Sequence, residues 1–348
     1  MINIAEIDKN FEVKTLEKRD NVIFINARKK PFVIYGLMHE NGRFRRMPEK
    51  VAFSVSEAVS RLHAHTAGGR VRFITDSSYI AISAAMSGLP KFSHCAFTAT
   101  MGFDMYADGV YTKTFIPPFT MTDGYESDYE FADKKTREIM IDFPLYSGVE
   151  ELYIGLEKDC YLAEPVPYKY DKPVVFYGSS ITQGGCASRP GTCYEAILSR
   201  RFNCDYVNLG FSGSGKAEDE IIDYIKKLDM KMFVYDYDFN APDYAHLLAT
   251  HEKMFLAIRE EHPDLPIIIM SKPRAILDEK DMARRNLIEK TYLNALARGD
   301  KNVYFLDGPT LMHLCGNEGT VDRTHPTDFG FASMAITVGN LIEEHKLL

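Results

Sequence analysis

The sequence predicts two domains, a β-sandwich in the first half and an α/β domain with a parallel sheet in the second. The chain has 348 residues, whereas single domains usually run about 100–200 residues. The first half consists of short apolar runs separated by turn residues. The second half alternates apolar runs with helical patterns, which is typical of βαβ units. These three observations give the fold class.

The first half is dominated by runs of Val, Ile, Phe and Tyr that favour strands. Turn residues such as Gly68 and Gly69 separate the runs, and one weak helical period lies over Ser56–His63. Short strands at regular spacing are typical of a β-sandwich. The predicted strands are Val22–Asn26, Phe32–Leu37, Val51–Val55, Val71–Thr75, Ile80–Met86, Cys95–Thr100, Glu138–Phe143 and Leu152–Leu156.

A proline-rich segment then predicts the linker between the domains. Pro165, Pro167 and Pro173 stand close together, and proline removes a backbone donor while favouring an extended predecessor. The predicted domains therefore span residues 1–165 and 173–348.

The second half predicts a parallel sheet covered by helices on both faces. Its predicted strands are Val174–Tyr177, Asp205–Leu209, Met232–Asp236, Ile267–Met270 and Val303–Asp307. Its predicted helices are Cys193–Arg201, Glu218–Leu228, Tyr244–Glu261, Asp281–Ala297 and one after Asp328. Ligands of such sheets bind beyond the carboxyl ends of the strands, so the residues that follow each strand are the candidates for a site.

Composition and charge exclude several functional classes. The net charge is −8 and the pI about 5.7, which is not the electrostatic footprint of a nucleic-acid binder. No run approaches the 18 or so apolar residues of a membrane-spanning helix. The segment Met1–Glu6 lacks the charged and apolar regions of a signal peptide, so none is expected there. The oligomeric state and the compartment are left open.

The six cysteines form no Cys-x-x-Cys pair, so neither a zinc ribbon nor a thioredoxin-like motif is indicated. His63 and His65 have no matching set of ligands nearby in the sequence, and no metal site is expected. Cys186 and Cys193 are close enough to pair, but spacing alone leaves their redox state open.

Residues suited to acyl transfer follow the predicted strands of the second half. Ser180 comes after the first strand, Gly213 after the second and Asn240 after the third, and Asp322 and His325 stand near the C-terminus. A serine hydroxyl needs a base, and histidine is suited to that role near neutral pH. An aspartate fixes the imidazole tautomer. Backbone amides and an asparagine amide can stabilise the oxyanion.

These blocks resemble those of the SGNH (GDSL-type) hydrolase superfamily. Gly178-Ser179-Ser180, Asn208-Leu209-Gly210-Phe211-Ser212-Gly213, Asp238-Phe239-Asn240 and Asp322-Arg323-Thr324-His325 agree with its four blocks in order and spacing. The resemblance implies a flavodoxin-type three-layer fold, with Ser180, His325 and Asp322 as the catalytic residues. It also implies an oxyanion hole of the Ser180 and Gly213 amides and the Asn240 side chain. No metal or organic cofactor is required by this scheme.

The resemblance extends upstream, where Gly102-Phe103-Asp104-Met105-Tyr106 is similar to the G-x-D-L-Y motif of a β-rich domain found in one bacterial branch of these hydrolases. That branch implies a serine esterase or acylhydrolase that cleaves a small acyl group, such as acetyl, from a small-molecule or carbohydrate ester. Ser179 replaces the usual acidic residue before the nucleophile, and Ala241 replaces the usual Asp after Asn240. These departures bear on subfamily and substrate.

Four further residues are candidates for substrate contact. Ser188 and Arg189 lie in the loop after the nucleophile, and Asp104 and Tyr106 would reach the rim from the first domain. The alternative is structural: solvation for the loop residues, and a tight strand end for Asp104 and Tyr106.

Two other functions remain open from sequence. Gly210–Lys216 nearly matches a phosphate-binding P-loop, although Ala217 replaces the Ser or Thr that would bind Mg²⁺. The first half would alternatively make a non-catalytic glycan-binding module, but the chain has no Trp to form a sugar platform. Both are weaker than the esterase interpretation, because neither accounts for all four blocks.

Overall fold

The computed structural model describes residues 16–17 and 19–348 and confirms the predicted fold class, with a β-rich first half followed by a parallel α/β half. The segment Met1–Glu6 lies outside the described residues. The strands of the first half are β1 Val22–Asn26, β2 Val33–Tyr35, β3 Met38–Glu40, β4 Arg43–Arg45, β5 Arg70–Thr75, β6 Tyr79–Ser87, β7 Phe103–Ala107, β8 Val110–Phe115, β9 Gly124–Glu130, β10 Arg137–Asp142, β11 Gly148–Glu157 and β12 Leu162–Ala163.

Two antiparallel sheets face each other in this half. One has the strand order β1-β11-β6-β9, and the other has the order β12-β5-β10-β7-β8, with β2 paired to β5. Inward residues of both sheets, among them Phe73, Ile82, Ile139 and Leu152, are fully buried in one apolar cluster. Burial of this shared face holds the sandwich together.

The first half is not purely β, and two predicted strands are wrong. Val51–Val55 belongs to helix α1 (Glu49–Val55), and most of Cys95–Thr100 forms the short helix α3 (Phe97–Thr100). A short apolar run does not distinguish a strand from a buried helical turn by periodicity alone. The weak period at Ser56–His63 is confirmed as helix α2 (Glu57–Leu62), which Ser56 caps by accepting from the Val59 amide.

Six strands of the first half were not predicted from sequence: β3, β4, β7, β8, β9 and β12. β9 reads Gly-Tyr-Glu-Ser-Asp-Tyr-Glu and lies at the edge of its sheet, where polar residues face solvent. β7 begins at Phe103 and carries the Gly-Phe-Asp-Met-Tyr motif except for its glycine, which precedes the strand. Tertiary pairing, rather than local composition, makes these segments strands.

The second half is a five-stranded parallel sheet in the order β14-β13-β15-β16-β17, which is the flavodoxin-type order. Its strands are β13 Val174–Gly178, β14 Tyr206–Gly210, β15 Met232–Asp236, β16 Ile267–Met270 and β17 Val303–Leu306. Its helices are α4 Tyr194–Phe202, α5 Asp219–Ile225, α6 Tyr244–Glu261, α7 Glu279–Ala297, α8 Gly308–Leu311 and α9 Asp328–His345. Every predicted strand and helix of this half is present, with shifts of a few residues at the ends.

The two halves share a hydrophobic core. Met47, Ala52 and Val59 of the first half are buried in the same cluster as Ile221 of α5 and Phe233 of β15. Helix α1 packs against α5, and residues of α1 and α2 join the core of the parallel half although they precede the predicted linker in sequence.

Two buried arginines reinforce this junction. Arg46 donates to the carbonyls of Leu62 (2.6 Å) and Gly210, and Arg70 forms an ion pair with Asp205. Burial lowers the pKa of Arg46 to about 9. The strands of the first half end at Ala163 and the parallel sheet begins at Val174, but the predicted division into independent domains remains a prediction.

Among the described residues, none of the helices has the length and apolarity needed to cross a membrane.

Candidate active site

The nucleophile candidate follows the central strand of the parallel sheet. Ser180 lies two residues after β13, which is flanked by β14 and β15 and fully buried. Gly178 ends the strand against the Asp236 carboxylate, which leaves no room for a Cβ. Ser180 is only 8% exposed, and its carbonyl accepts from the Gly185 amide at 2.8 Å. The serine is thus held at the carboxyl edge of the sheet, where the topology places ligands.

Three of the predicted residues form a hydrogen-bonded chain. Oγ of Ser180 lies 2.9 Å from Nε2 of His325, and Nδ1 of His325 lies 2.8 Å from Oδ2 of Asp322. Asp322 and His325 come from the turn before α9, so 145 residues separate the serine from its histidine. The arrangement has the order nucleophile, base and orienting carboxylate that acyl transfer requires.

Backbone geometry fixes the carboxylate of this chain. Oδ1 of Asp322 accepts from the amides of Thr324 (3.0 Å) and His325 (2.8 Å). Partial burial opposes ionisation, but these amides and the imidazole outweigh it, so the pKa of Asp322 lies below its ordinary value. The carboxylate stays ionised at neutral pH and can stabilise an imidazolium.

The two oxyanion candidates lie on neighbouring loops. Gly213 follows β14 with φ +69, a left-handed conformation that favours glycine, and open space faces its Cα. Asn240 ends the 3₁₀ turn Tyr237–Asn240 after β15, and its Nδ2 donates to the Phe211 carbonyl at 2.9 Å. That bond uses one of the two amide hydrogens, and the second has no acceptor among the described residues, so it can be offered to a ligand.

Gln183 holds the loop that carries Gly213, and sequence reasoning missed this residue. Its Oε1 accepts from the Ser212 amide at 3.0 Å, while its Nε2 lies 3.1 Å from the Leu145 carbonyl and 3.0 Å from Nδ1 of His65. Burial lowers the pKa of His65 to about 3, and repulsion from Arg46 adds to this effect. The ring is therefore neutral and can accept a hydrogen bond. The position of Gln183, three residues after the nucleophile, was the available signal.

Two further residues of the first half reach the site. Tyr146 donates to the Ser180 carbonyl at 3.3 Å. His94, from the loop before α3, places its ring centroid 5.7 Å from that of His325. Both come from loops far from the catalytic blocks in sequence, so nothing local in the sequence indicates them.

The four candidate substrate contacts bond mainly within the protein. Arg189 lies 2.7 Å from Oδ2 of Asp104 and 2.8 Å from the Tyr106 hydroxyl. Asp104 is fully buried and also accepts from the Gly191 amide at 2.9 Å. The Ser188 amide and hydroxyl both donate to Asp328 at the start of α9. The Gly-Phe-Asp-Met-Tyr motif thus fastens the first half to the loop after the nucleophile.

The P-loop-like segment does not offer a free cradle of amides. The amides of Phe211, Ser212, Ser214 and Gly215 donate to acceptors within the protein, and the Ala217 amide donates to the Tyr177 hydroxyl at 2.7 Å. A phosphate-binding loop needs several such groups free to face the anion. The geometry therefore disfavours the nucleotide-binding interpretation.

Comparison with protein-family models gives two matches. Residues 171–343 match the GDSL-like Lipase/Acylhydrolase family, and residues 22–162 match the N-terminus of the SGNH-hydrolase type of esterase. A comparison with curated proteins gave no significant match.

Solved structures similar to the chain share its fold. A protein from Bacteroides ovatus, provisionally described as a GDSL-like lipase, is 26% identical with a TM-score of 0.81, covering 93% of this chain and 98% of its own. A salicylyl-acyltransferase from a tetracycline biosynthetic pathway is 20% identical with a TM-score of 0.78, covering 95% and 99%. An acetyl xylan esterase from Butyrivibrio proteoclasticus is 13% identical with a TM-score of 0.58, covering 93% and 98%.

Proposed function

The chain belongs to the GDSL-like lipase/acylhydrolase family, with the N-terminal region of SGNH-type esterases, and we propose that Ser180, His325 and Asp322 carry out its ester hydrolysis. The protein is therefore an SGNH serine ester hydrolase. The observation that supports these residue roles is the chain of 2.9 Å and 2.8 Å contacts from Ser180 through His325 to Asp322.

In the proposed first step, Nε2 of His325 removes the proton of the Ser180 hydroxyl as Oγ attacks the ester carbonyl. A new carbon–oxygen bond forms, and the carbonyl π electrons move to the oxygen. The imidazolium then protonates the leaving alcohol as its bond to carbon breaks, which leaves an acyl-enzyme on Ser180. Asp322 holds Nδ1 of His325 and stabilises the positive ring.

In the second step His325 deprotonates a water molecule that attacks the acyl-enzyme. The tetrahedral intermediate collapses with return of the proton to Ser180 Oγ, releasing the carboxylic acid. In both steps the oxyanion is held by the amides of Ser180 and Gly213 and the free hydrogen of the Asn240 amide. Such preorganised donors stabilise charge that develops only in the transition state.

We propose that the substrate carries a small acyl group, with acetyl on a sugar as the leading case. The space beside Ser180 is narrow, which supports a small acyl group. A Cβ atom added to Gly185 would lie only 2.8 Å from the Tyr146 hydroxyl and 3.4 Å from Cδ2 of His325. Exposed Phe92, whose ring centroid lies 5.7 Å from that of Tyr146, offers an aromatic face to a sugar ring. An acetyl xylan esterase has the same fold, so acetylated sugars are the first substrate class to test.

The residue roles are tested by labelling with a fluorophosphonate, followed by peptide mass spectrometry. We expect one adduct on Ser180 that disappears in His325→Ala and is unchanged in Ser93→Ala, a variant of an exposed serine in the first half. A folded enzyme that hydrolyses an aryl acetate but is labelled at another serine would contradict the assignment.

The substrate class is tested by two series of esters. Aryl esters from acetate to octanoate report acyl size, and acetylated xylo-oligosaccharides report the leaving group. We expect kcat/KM to fall with acyl length, and Phe92→Ala to raise KM for the oligosaccharides but not for aryl acetate. Phe53→Ala, which removes an exposed aromatic ring on α1, is the matched control. A preference for octanoate would contradict the small-acyl proposal.

A further inference from the structure

Beside the catalytic histidine lies a group of side chains that the hydrolysis does not use. The group consists of His94, Cys95 and Cys186, and one ligand atom from each lies within 4.8 Å of the others. All six cysteines are free thiols, so the two sulfurs are not bonded to each other. We propose that this cluster binds a thiophilic divalent cation such as Zn²⁺ and that the bound metal inhibits the esterase.

The separation of the two sulfurs fits a shared metal. Sγ of Cys95 lies 3.7 Å from Sγ of Cys186. A tetrahedral zinc ion with Zn–S bonds of about 2.3 Å places two thiolates about 3.7–3.8 Å apart. A disulfide requires about 2.05 Å, so the sulfurs would have to approach considerably further to bond directly.

The types of donor also select the metal. Two thiolates and one imidazole form a soft to borderline ligand set, which favours zinc over Mg²⁺ or Ca²⁺. Each thiol loses one proton to solvent on binding, so two thiolates neutralise the double charge of the ion. Three protein ligands leave one of four tetrahedral positions for water or another ligand.

Cys186 is the buried member of this cluster. Cys186 has φ +72, a left-handed conformation that non-glycine residues seldom adopt. Its side chain is buried, whereas His94 is exposed, so the cluster is closed on the protein side and open to solvent on the other. An ion can therefore enter past His94.

The location of the cluster predicts the consequence of binding. His94 belongs to the loop before α3, whereas Cys186 belongs to the loop after the nucleophile. The ring of His94 lies 5.7 Å, centroid to centroid, from the ring of His325. A metal held here, with its remaining ligand, occupies space next to the catalytic base and joins the two loops around it. We expect it to slow catalysis.

Binding is measured without substrate, on the full chain kept reduced with a phosphine reductant. Co²⁺ serves as a spectroscopic substitute for zinc, because two thiolates give an intense thiolate-to-cobalt charge-transfer band. We expect one equivalent of Co²⁺ to give this band and one equivalent of Zn²⁺ to displace it. Cys95→Ser and Cys186→Ser should lose the band. Cys160→Ser, which removes a half-buried thiol elsewhere, should retain it.

His94→Ala provides a variant whose folding is not at risk, because the side chain is exposed. It should weaken zinc binding at least tenfold while leaving both thiols titratable. In parallel, one equivalent of Zn²⁺ should lower aryl acetate hydrolysis at least tenfold in the unaltered enzyme. A chelator should restore the activity, and Cys186→Ser should be insensitive.

Absence of the cobalt band in reduced protein would overturn the proposal, as would loss of two thiols to a disulfide before any metal is added. Equal inhibition of Cys186→Ser would place the inhibitory zinc elsewhere, for example on His325 itself. Zinc binding without inhibition would overturn the regulatory part. Because the band is read without substrate, its failure is distinguishable from failure of the proposed hydrolysis.

Discussion

Nδ1 of His65 lies 3.0 Å from the side-chain nitrogen of Gln183, so a loop of the β-rich half supports the residue that holds the loop of Gly213. The same glutamine accepts from the Ser212 amide, next to Gly213. The first half thus contributes contacts that hold the loop of the proposed oxyanion donor Gly213.

Gln183→Leu tests this connection, because leucine keeps the approximate volume but leaves the Ser212 amide and the Leu145 carbonyl without their partner. We expect kcat for aryl acetate to fall about 10–100-fold with a small change in KM, and stability to fall by about 1–3 kcal/mol. Steady-state kinetics and urea unfolding measure the two effects. A folded variant with unchanged kcat would show that Gln183 does not position the loop of Gly213.

Asn240→Ala should lower kcat about 10²–10³-fold, which is typical for the loss of one oxyanion donor. KM should change little, because the bond strengthens mainly in the transition state. Asn240→Asp, which keeps the shape but loses the donor, should be equally impaired. Full activity in the aspartate variant would rule out the donor role.

Asp322→Asn should lower kcat at least about 10²-fold, because the neutral amide no longer fixes the tautomer of His325 or stabilises its charge. The pKa of Asp322 lies below its ordinary value, so the carboxylate remains ionised from pH 5 to 9. The defect should therefore be nearly uniform across that range. A pH–rate profile in which the variant recovers at either end would contradict this.

Asp142 predicts a pH dependence of stability. Its two carboxylate oxygens are buried without a partner among the described residues, and burial, opposed by Arg200, raises its pKa to about 7. Because the folded-state pKa is the higher one, the folded state binds the proton more tightly. The contribution of Asp142 to stability should therefore fall as the pH rises from about 4 to 7.

Asp142→Asn removes this titration. Chemical denaturation at pH 4, 5, 6, 7 and 8 measures the free energy of unfolding of both proteins. We expect the value for the variant minus that for the unaltered enzyme to rise between pH 4 and 7 and then to level off. A constant difference between the two proteins over this range would contradict the assignment.

The shared core predicts that residues 173–348 do not fold alone. Removal of the first half takes Met47, Ala52 and Val59 out of the apolar cluster that contains Ile221, and it deletes Arg46, which donates to the Gly210 carbonyl. We expect the fragment to be insoluble or to lack a cooperative unfolding transition by circular dichroism. A soluble fragment with full aryl esterase activity would contradict this expectation and favour a detachable first domain.

The sequence predicted the parallel half closely because its strands are continuous apolar runs and its helices are long. Val51–Val55 misled the prediction, since α1 is a short helix whose apolar residues belong to the apolar cluster of the parallel half rather than to that of the sandwich. β9 was missed because an edge strand can be polar.

Some residues of the candidate site could be predicted from the sequence, and others could not. Ser180, Gly213, Asn240, Asp322 and His325 follow strands or precede a helix in recognisable blocks, so the sequence alone is enough to select them. His65, Tyr146 and His94 come from loops whose approach depends on how the two halves pack. The substrate-contact hypothesis for Arg189 and Asp104 identified two residues that pair with each other, an arrangement that spacing does not reveal.

Acid quench during turnover of an aryl acetate tests whether Ser180 carries the acyl group. Peptide mass spectrometry should find one acetyl group, on the peptide that contains Ser180. The acetylated fraction of the enzyme should be higher when hydrolysis of the acyl-enzyme is slower than its formation. An acetyl group on another residue, or turnover with no acyl-enzyme on Ser180 even under single-turnover conditions, would contradict the proposed role of Ser180.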